Sequence, residues 1–250
     1  MLRETIDIPT QDGTAEAYVS RPDEQDHPGV LLYMDAIGIR PRLRDMADRI
    51  AGWGHVVMVP NLFYRDGSIK DLAPRDSLRV PGNREAFFAE AMPRVHAFVP
   101  ELAAADAGVY VGHLQRLPGV RDSPIGCTGY CMGGALSLRT AGLHGDAVGA
   151  AASFHGGNLV TDADTSPHVV ATRSRAHLYL GHADNDPSMP VEKIAVLEAA
   201  FEAAGLTFVS EIYPGAAHGF TMADTSVYQA DGAERHFTAL RALFQHSSMR

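Results

Sequence analysis

A short segment with glycines on both sides carries the strongest signal for chemistry in this sequence. Residues 129–134 read Gly-Tyr-Cys-Met-Gly-Gly and lie between a predicted strand and a predicted helix. This spacing is typical of a nucleophile elbow, here with cysteine at the nucleophile position. The glycines are needed because side chains at these flanks would collide with neighbouring elements. Free N–H groups and the dipole at a helix start favour a thiolate, so Cys131 is the predicted nucleophile.

A second interpretation of this segment is a buried cysteine in a glycine-rich turn, since free cysteine is often buried. The other cysteine, Cys127, lies inside the preceding predicted strand and is expected to belong to the core. A disulfide between the two is not expected, because their positions on the strand and at its end give unsuitable geometry.

A cysteine nucleophile needs a base, and the base needs a group that orients it. In enzymes with this turn the chain order is nucleophile, acid, histidine. Asp184 follows a predicted strand in Gly-His-Ala-Asp, and His218 follows the last predicted strand in Ala-His-Gly-Phe. We expect one ring nitrogen of His218 to bind Asp184 and the other to face Cys131.

Two backbone N–H groups are the predicted oxyanion donors. One is the N–H of Met132, which directly follows the nucleophile, and the other should come from the loop after an early strand. Residues 33–38 are placed for this, and the N–H of Ala36 is the candidate. Asp35 is a carboxylate at the same strand end. It is expected either to act close to the site or to cap the following loop.

Several other polar residues have competing interpretations. His182 and Asp186 flank Asp184, which suggests a metal site, but no second ligand cluster is evident and we predict no metal. Asp186 precedes Pro187, which fits a role in a turn. His155 ends a predicted strand in Phe-His-Gly-Gly, so it either lines the pocket or belongs to the core.

Strands alternate with helices along the chain, which predicts an α/β fold. The expected architecture is a mainly parallel central sheet flanked by helices on both faces, in a single domain over residues 1–250. Ligands bind such sheets at the carboxyl ends of the strands. The hydrophobic patterns predict a hairpin at 4–8 and 14–19, strands at 29–34, 55–59, 124–128, 148–154, 176–180 and 207–213, and helices at 42–52, 84–92, 94–115, 133–142, 190–204 and 232–246. Residues 61–83 and 156–174 are predicted loops.

Composition excludes several classes of protein. The 250 residues are 46% hydrophobic and 20% charged, unlike collagen, a coiled coil or a disordered chain. The net charge of −9 argues against nonspecific nucleic-acid binding. No apolar stretch is long enough for a membrane span, and the polar start at Met1 does not resemble a signal peptide. Two cysteines form no disulfide framework, so a reducing cytoplasm is expected.

Together the motifs resemble those of the dienelactone hydrolase family over residues 4–245. The resemblance implies an α/β-hydrolase fold and a Cys-His-Asp triad at Cys131, His218 and Asp184. The segments that carry it are residues 34–38, 44–51, 59–65, 129–134, 181–184 and 213–220.

Two departures from the family bear on the substrate. The best-known members carry Glu at the position of Asp35, where the carboxylate is thought to hold the thiol in a resting state. They also bind the substrate carboxylate through arginines, one of them at the position of Met222. A less anionic or larger ester or lactone than dienelactone is therefore expected, in a pocket shaped by the loop at 66–83. The predicted substrate-binding or modulating residues are Asp35, Ile37, Arg65, His155, Phe220 and Tyr228.

The expected activity is hydrolysis of a small-molecule ester or lactone without metal or organic cofactor, by a monomer or homodimer. A thioesterase or a general carboxylesterase on the same triad is an alternative. A catalytically silent binding protein and a redox-responsive thiol protein are alternatives from other classes.

Overall fold

The computed structural model describes residues 1–246, which form eight strands and eight helices. The strands are β1 (Leu2–Thr10), β2 (Gly13–Arg21), β3 (Gly29–Tyr33), β4 (Val56–Pro60), β5 (Ile125–Tyr130), β6 (Val148–Phe154), β7 (His177–Asn185) and β8 (Phe208–Ala217). The helices are α1 (Pro41–Ala51), α2 (Ile69–Leu72), α3 (Asn83–Ala97), α4 (Pro100–Arg116), α5 (Met132–Leu143), α6 (Pro167–Ala171), α7 (Val191–Ala203) and α8 (Ala230–His246).

All eight strands form one sheet in the order β1-β2-β4-β3-β5-β6-β7-β8. The hairpin β1–β2 is antiparallel and joins β4 antiparallel, while the strands from β4 through β8 are parallel. The chain runs from β3 outward to β4 and then returns to the other side of β3 for β5. The strand order therefore reverses between β3 and β5, where ligands bind in open α/β sheets.

The central strands form because their sequences are nearly continuous apolar runs. Every residue of β3, β5 and β6 is buried, as expected for parallel strands covered on both faces. Helix α1 starts at Pro41, which suits a first helical turn, and buries Leu43, Met46, Ala47 and Ile50 on one face.

The helices form two groups that cover the sheet. Helices α4 to α7 contact one another in chain order, and α5 packs on β3, β5 and β6. Helices α1 and α8 form the second group. Trp53, which follows α1, packs edge-on against Phe237 of α8, and the guanidinium of Arg49 lies 3.9 Å from the centroid of the Phe237 ring. The predicted α/β class with a mainly parallel sheet and flanking helices is confirmed.

Two local predictions were wrong. The helix expected to break at Pro93 continues through it, so α3 runs to Ala97. Proline removes the N–H that would donate to the carbonyl of Ala89, and both residues are exposed, so this carbonyl lies on the solvent side of the helix. The predicted loops at 61–83 and 156–174 each contain one short helix, α2 and α6.

Two glycines allow the elements around the reversal point to approach closely. A Cβ built on Gly129 would overlap the backbone of Gly133 in α5. A Cβ built on Gly133 would lie 2.5 Å from the carbonyl oxygen of Met34 and 2.6 Å from that of Tyr33. Only glycine at both positions lets the start of α5 rest against the ends of β3 and β5.

We expect Gly129→Ala to lower the free energy of unfolding by about 3 kcal/mol, because backbone rather than a flexible side chain must move. Urea denaturation measures this. Gly145→Ala is the matched control, since its nearest foreign atom would be at an ordinary 3.5 Å. Equal stability of the two variants would contradict this account of the packing.

Candidate active site

Cys131 occupies a strained turn between β5 and α5. Its backbone has φ +57° and ψ −121°, a combination that residues with a side chain rarely adopt. The Cys131 N–H donates to the carbonyl of Phe154 at 3.2 Å, and its carbonyl accepts from the Gly134 N–H at 3.0 Å. The turn is thus held on both sides, and the half-buried thiol stands at the N-terminus of α5.

His218 follows β8 and lies between a carboxylate and the thiol. Its Nδ1 is 2.6 Å from Oδ2 of Asp186, whose other oxygen accepts from the N–H and hydroxyl of Ser188 at 2.9 and 2.6 Å. Burial alone would lower the pKa of His218, but negative charge on the Cys131 sulfur and the Asp186 hydrogen bond raise it to about 10. The same hydrogen bonds hold the pKa of Asp186 below its usual value despite burial. This arrangement favours the protonated form of His218.

The prediction that Asp184 orients His218 was wrong. Asp184 is exposed, and its Oδ2 accepts from the backbone N–H of Gly215 at 2.9 Å. The register between β7 and β8 is irregular between Ala183 and Asn185, which shifts the side chains at this strand end. Asp186, two residues later and almost fully buried, reaches the histidine instead.

Asp35 is bound by a buried arginine. Its Oδ1 accepts from Nη1 of Arg40 at 2.7 Å and from the N–H groups of Ile37 and Gly38 at 3.0 and 3.3 Å. Its Oδ2 accepts from Nη2 of Arg40 at 3.0 Å, and Nε of Arg40 donates to Asp224 at 2.5 Å. Burial alone would lower the pKa of Arg40, but the two carboxylates raise it above its ordinary value. Both expectations for Asp35 hold in part, since it caps the loop and also faces the site.

His155 lies beside the catalytic candidates as a neutral ring. It is 1% exposed, its centroid is 5.4 Å from that of His218, and its Nε2 is 2.8 Å from the hydroxyl of Thr221. Burial, with the charge on His218 as a smaller cause, holds its pKa well below the usual value. The structure therefore places His155 on the wall of the pocket without adding a second positive charge.

These side chains line one narrow cleft. Cys131, His218, Asp35, Ile37 and His155 line it as the sequence predicted. The remaining lining residues are Arg84, Phe88, Gly219, Met222, Thr225 and Val227.

The predicted oxyanion donors lie near this cleft. Met132 is the first residue of α5, where the N–H has no partner within the helix. Ala36 is buried between Asp35 and Ile37, which both line the cleft. The N–H groups of Ile37 and Gly38 bind Asp35, and no such bond of the Ala36 N–H occurs in the described part of the chain.

The structure removes Arg65 from the predicted set. Its guanidinium binds Asp12 at 2.7 Å and Asp106 at 2.8 Å, and Arg65 is not among the residues that line the cleft. Two carboxylates occupy its donors, so the prediction that Arg65 binds or modulates the substrate was wrong.

Phe220 and Tyr228 are also not part of the cleft lining. Phe220 is fully buried, stacks on Tyr213 and packs edge-on against the ring of His155. Tyr228 is 36% exposed and lies 5.9 Å from Arg42, while its neighbour Val227 lines the cleft. The loop at 66–83 contacts the cleft wall indirectly. Arg79 of this loop donates to the carbonyl of Ala223 at 2.9 Å, and the neighbouring Met222 lines the cleft.

Sequence reasoning missed Asp186, Arg40 and Arg84. Asp186 could have been found as a site residue because it directly follows a strand. Its place before Pro187 favoured a role in a turn, and Asp186 does accept a hydrogen bond from Ser188 in that turn. Arg40 had a weaker signal as the residue before the first turn of α1. Nothing in the pattern of α3 distinguishes Arg84 from other surface arginines.

Within residues 1–246, no group of three or more His, Cys, Asp or Glu is arranged to hold a metal ion. The same residues contain no helix with the length and hydropathy needed to cross a membrane.

Comparison with known proteins decides the family. The sequence profile of the Dienelactone hydrolase family matches residues 15–248. The chain belongs to the dienelactone hydrolase family. It is therefore a hydrolase, and the family resemblance drawn from the motifs is confirmed.

Curated members of this family resemble the chain over nearly its whole length. The carboxymethylenebutenolidase of Pseudomonas putida is 26% identical over 234 residues, 93% of this chain and 92% of the relative. A Synechocystis sp. protein named "Putative carboxymethylenebutenolidase" is 25% identical over 248 residues, 96% of this chain and 95% of the relative. A Klebsiella pneumoniae structure described as "Putative Dienelactone Hydrolase" shares the fold with a TM-score of 0.82 at 23% identity, covering 98% of each chain.

Substitutions of Asp184 and Asp186, the two aspartates at the end of β7, should have different effects. We expect Asp186→Asn to lower kcat/KM for p-nitrophenyl acetate about 10²- to 10⁴-fold, because the ring loses its tautomer and the charge that stabilises imidazolium. Asp184→Asn is the matched control and should stay within about threefold of wild type, since Asp184 is exposed and binds only a backbone N–H. The reverse order of effects would return the role to Asp184.

Proposed function

We propose that this member of the family hydrolyses a carboxylic ester or lactone through Cys131, His218 and Asp186. The observation that carries the proposal is the position of His218, which is hydrogen-bonded to Asp186 at 2.6 Å and interacts with the thiol of Cys131. A nucleophile, a base and a group that orients the base are the parts that acyl transfer requires.

At the start of the reaction His218 holds the thiol proton, and the Cys131 thiolate attacks the carbonyl carbon. A carbon–sulfur bond forms, and the carbonyl oxygen becomes an oxyanion that accepts hydrogen bonds from the N–H groups of Met132 and Ala36. The intermediate then breaks its carbon–oxygen bond. The leaving alkoxide takes the proton from His218, and an acyl-cysteine remains.

In the second half, His218 removes a proton from water, and the resulting hydroxide attacks the acyl carbon. The carbon–sulfur bond breaks and the thiolate is restored, with the acid as product. Asp186 stabilises the imidazolium in both halves and keeps the neutral ring in one tautomer. Besides this chain, the proposed reaction uses only the substrate and water. A reducing cytoplasm remains the proposed location, because two cysteines form no disulfide framework.

The charges of the cleft support a small substrate with at most one anionic group. Arg84 lines the cleft and lies 4.9 Å from the ring of Phe88. Among residues 1–246 no carboxylate forms an ion pair with it, and its buried Nε has no hydrogen-bond partner. Met222 adds an apolar side chain to the same cleft. Because Met222 cannot bind a carboxylate, we favour an ester or lactone other than dienelactone, and Arg84 offers a contact for a single carboxylate of that substrate.

Replacing the nucleophile tests the proposed reaction. We expect Cys131→Ala to abolish hydrolysis of p-nitrophenyl acetate, because the variant lacks the sulfur on which the acyl intermediate forms. Circular dichroism should be unchanged, since alanine fits the turn. Hydrolysis by the variant at the wild-type rate would overturn the mechanism, and a wild type inactive on a panel of esters, lactones and thioesters would favour a binding protein.

Replacing Arg84 tests the substrate preference. We expect Arg84→Met to raise KM about tenfold for an ester that carries a carboxylate, because the variant loses a charge-assisted hydrogen bond of roughly 1.5 kcal/mol. A neutral ester of similar size should be affected by less than about twofold. The matched control is Arg75→Met, an exposed arginine outside this cleft. Equal effects on the two esters would show that Arg84 does not bind anions.

A further inference from the structure

Arg40 lies behind the cleft and joins two segments that carry site residues. It is 4% exposed and precedes α1. Its guanidinium binds both oxygens of Asp35 in the turn after β3 and both oxygens of Asp224 in the loop that follows His218. One buried cation thus holds two carboxylates and connects the turn of Ala36 with the loop of His218.

The binding of Asp35 by Arg40 compensates a negative charge that faces the nucleophile. Asp35 lines the same cleft as Cys131 and is only 4% exposed. An uncompensated carboxylate there would oppose a thiolate through charge repulsion, and it could accept the S–H hydrogen bond that otherwise leads to His218. Each of its oxygens instead receives a donor from Arg40, and Oδ1 also receives two backbone N–H groups.

We propose that Arg40 is a positioning residue that keeps the Asp35 carboxylate away from the Cys131 thiol, so that the thiol is reactive before any substrate arrives. This inference rests on the proposed function, because it concerns the same nucleophile. Under this inference the Cys131 thiol is reactive without substrate. The contrasting case is a thiol that a neighbouring carboxylate holds until a substrate binds.

The other groups that face Cys131 agree with this assignment. Asp35 and Arg84 are the charged groups on the cleft wall, and His155 and His218 are its titratable rings. Behind them lie Asp186, hydrogen-bonded to His218, and Asp224, bound to Arg40. Since burial keeps His155 neutral, His218 is the group that receives the thiol proton.

The test is the rate of alkylation of Cys131 by iodoacetamide without substrate, with Cys131→Ala as the blank for the buried Cys127. We expect Arg40→Gln to slow alkylation near pH 5 about tenfold, because one uncompensated charge shifts the titration by about one pKa unit and a one-unit shift changes the thiolate fraction tenfold only below the midpoint. The double variant Arg40→Gln/Asp35→Asn should regain a rate within about threefold of wild type, because the carboxylate that opposes the thiolate is gone.

The matched control is Arg42→Gln. Arg42 donates to the carbonyl of Thr221 at 2.7 Å, so it also ties α1 to the loop of His218, but it does not contact Asp35. We expect this variant to be alkylated within about twofold of the wild-type rate. The inference would be overturned if Arg40→Gln were alkylated as fast as wild type, or if the double variant were alkylated as slowly as Arg40→Gln. In either case Arg40 would have no effect on the thiol through the charge of Asp35.

The pH profile of the wild type keeps the inference testable if Arg40→Gln does not fold. A thiol that has already passed its proton to His218 should be alkylated near pH 6 within about threefold of the rate near pH 8. A rate that rises about tenfold per pH unit across this range would overturn the inference. Neither result depends on ester hydrolysis by Cys131→Ala, so a failure here and a failure of the proposed function are distinguishable.

Discussion

The backbone of Cys131 is the constraint on which the site depends. Its positive φ turns the chain from β5 into α5 within one residue, so the thiol stands where the strand order reverses and where the first N–H groups of the helix are free. This turn exists only because α5 can approach β3 and β5 closely, which requires Gly129 and Gly133. The fold therefore holds the proposed nucleophile in a strained backbone conformation, and the close packing at the two glycines stabilises that conformation.

The charges of the site are arranged as two separate systems. Asp186 compensates the positive charge of His218, while Arg40 compensates the negative charges of Asp35 and Asp224. Each buried charge has a partner with good geometry. The Arg40 system has a net charge of −1, and its second carboxylate, Asp224, is partly exposed to water. The separation also leaves Arg84 as a cation of the cleft wall that is available to an anionic group of a substrate.

Much of the fold follows from local sequence patterns, because buried parallel strands and amphipathic helices have distinct periodicities. The strand at 148–154 was predicted with the bounds that the structure has, and Cys131 and His218 were identified from short motifs. Asp186 was missed because the irregular end of β7 breaks the alternation of side chains on which the preference for Asp184 relied. The contacts of Arg40 and Arg65 were inaccessible for another reason. Their partners lie up to 184 residues away, and no local pattern encodes such a pairing.

The central claim is that hydrolysis passes through an acyl group on Cys131 that His218 helps to remove. The most direct measurement is mass spectrometry of the acid-quenched protein during turnover of p-nitrophenyl acetate, with peptide mapping of any adduct. The account predicts one acetyl group on the peptide that contains Cys131, and greater accumulation in His218→Gln, where activation of water is impaired. An acetyl group on another residue, or undiminished hydrolysis without any adduct in either protein, would contradict it.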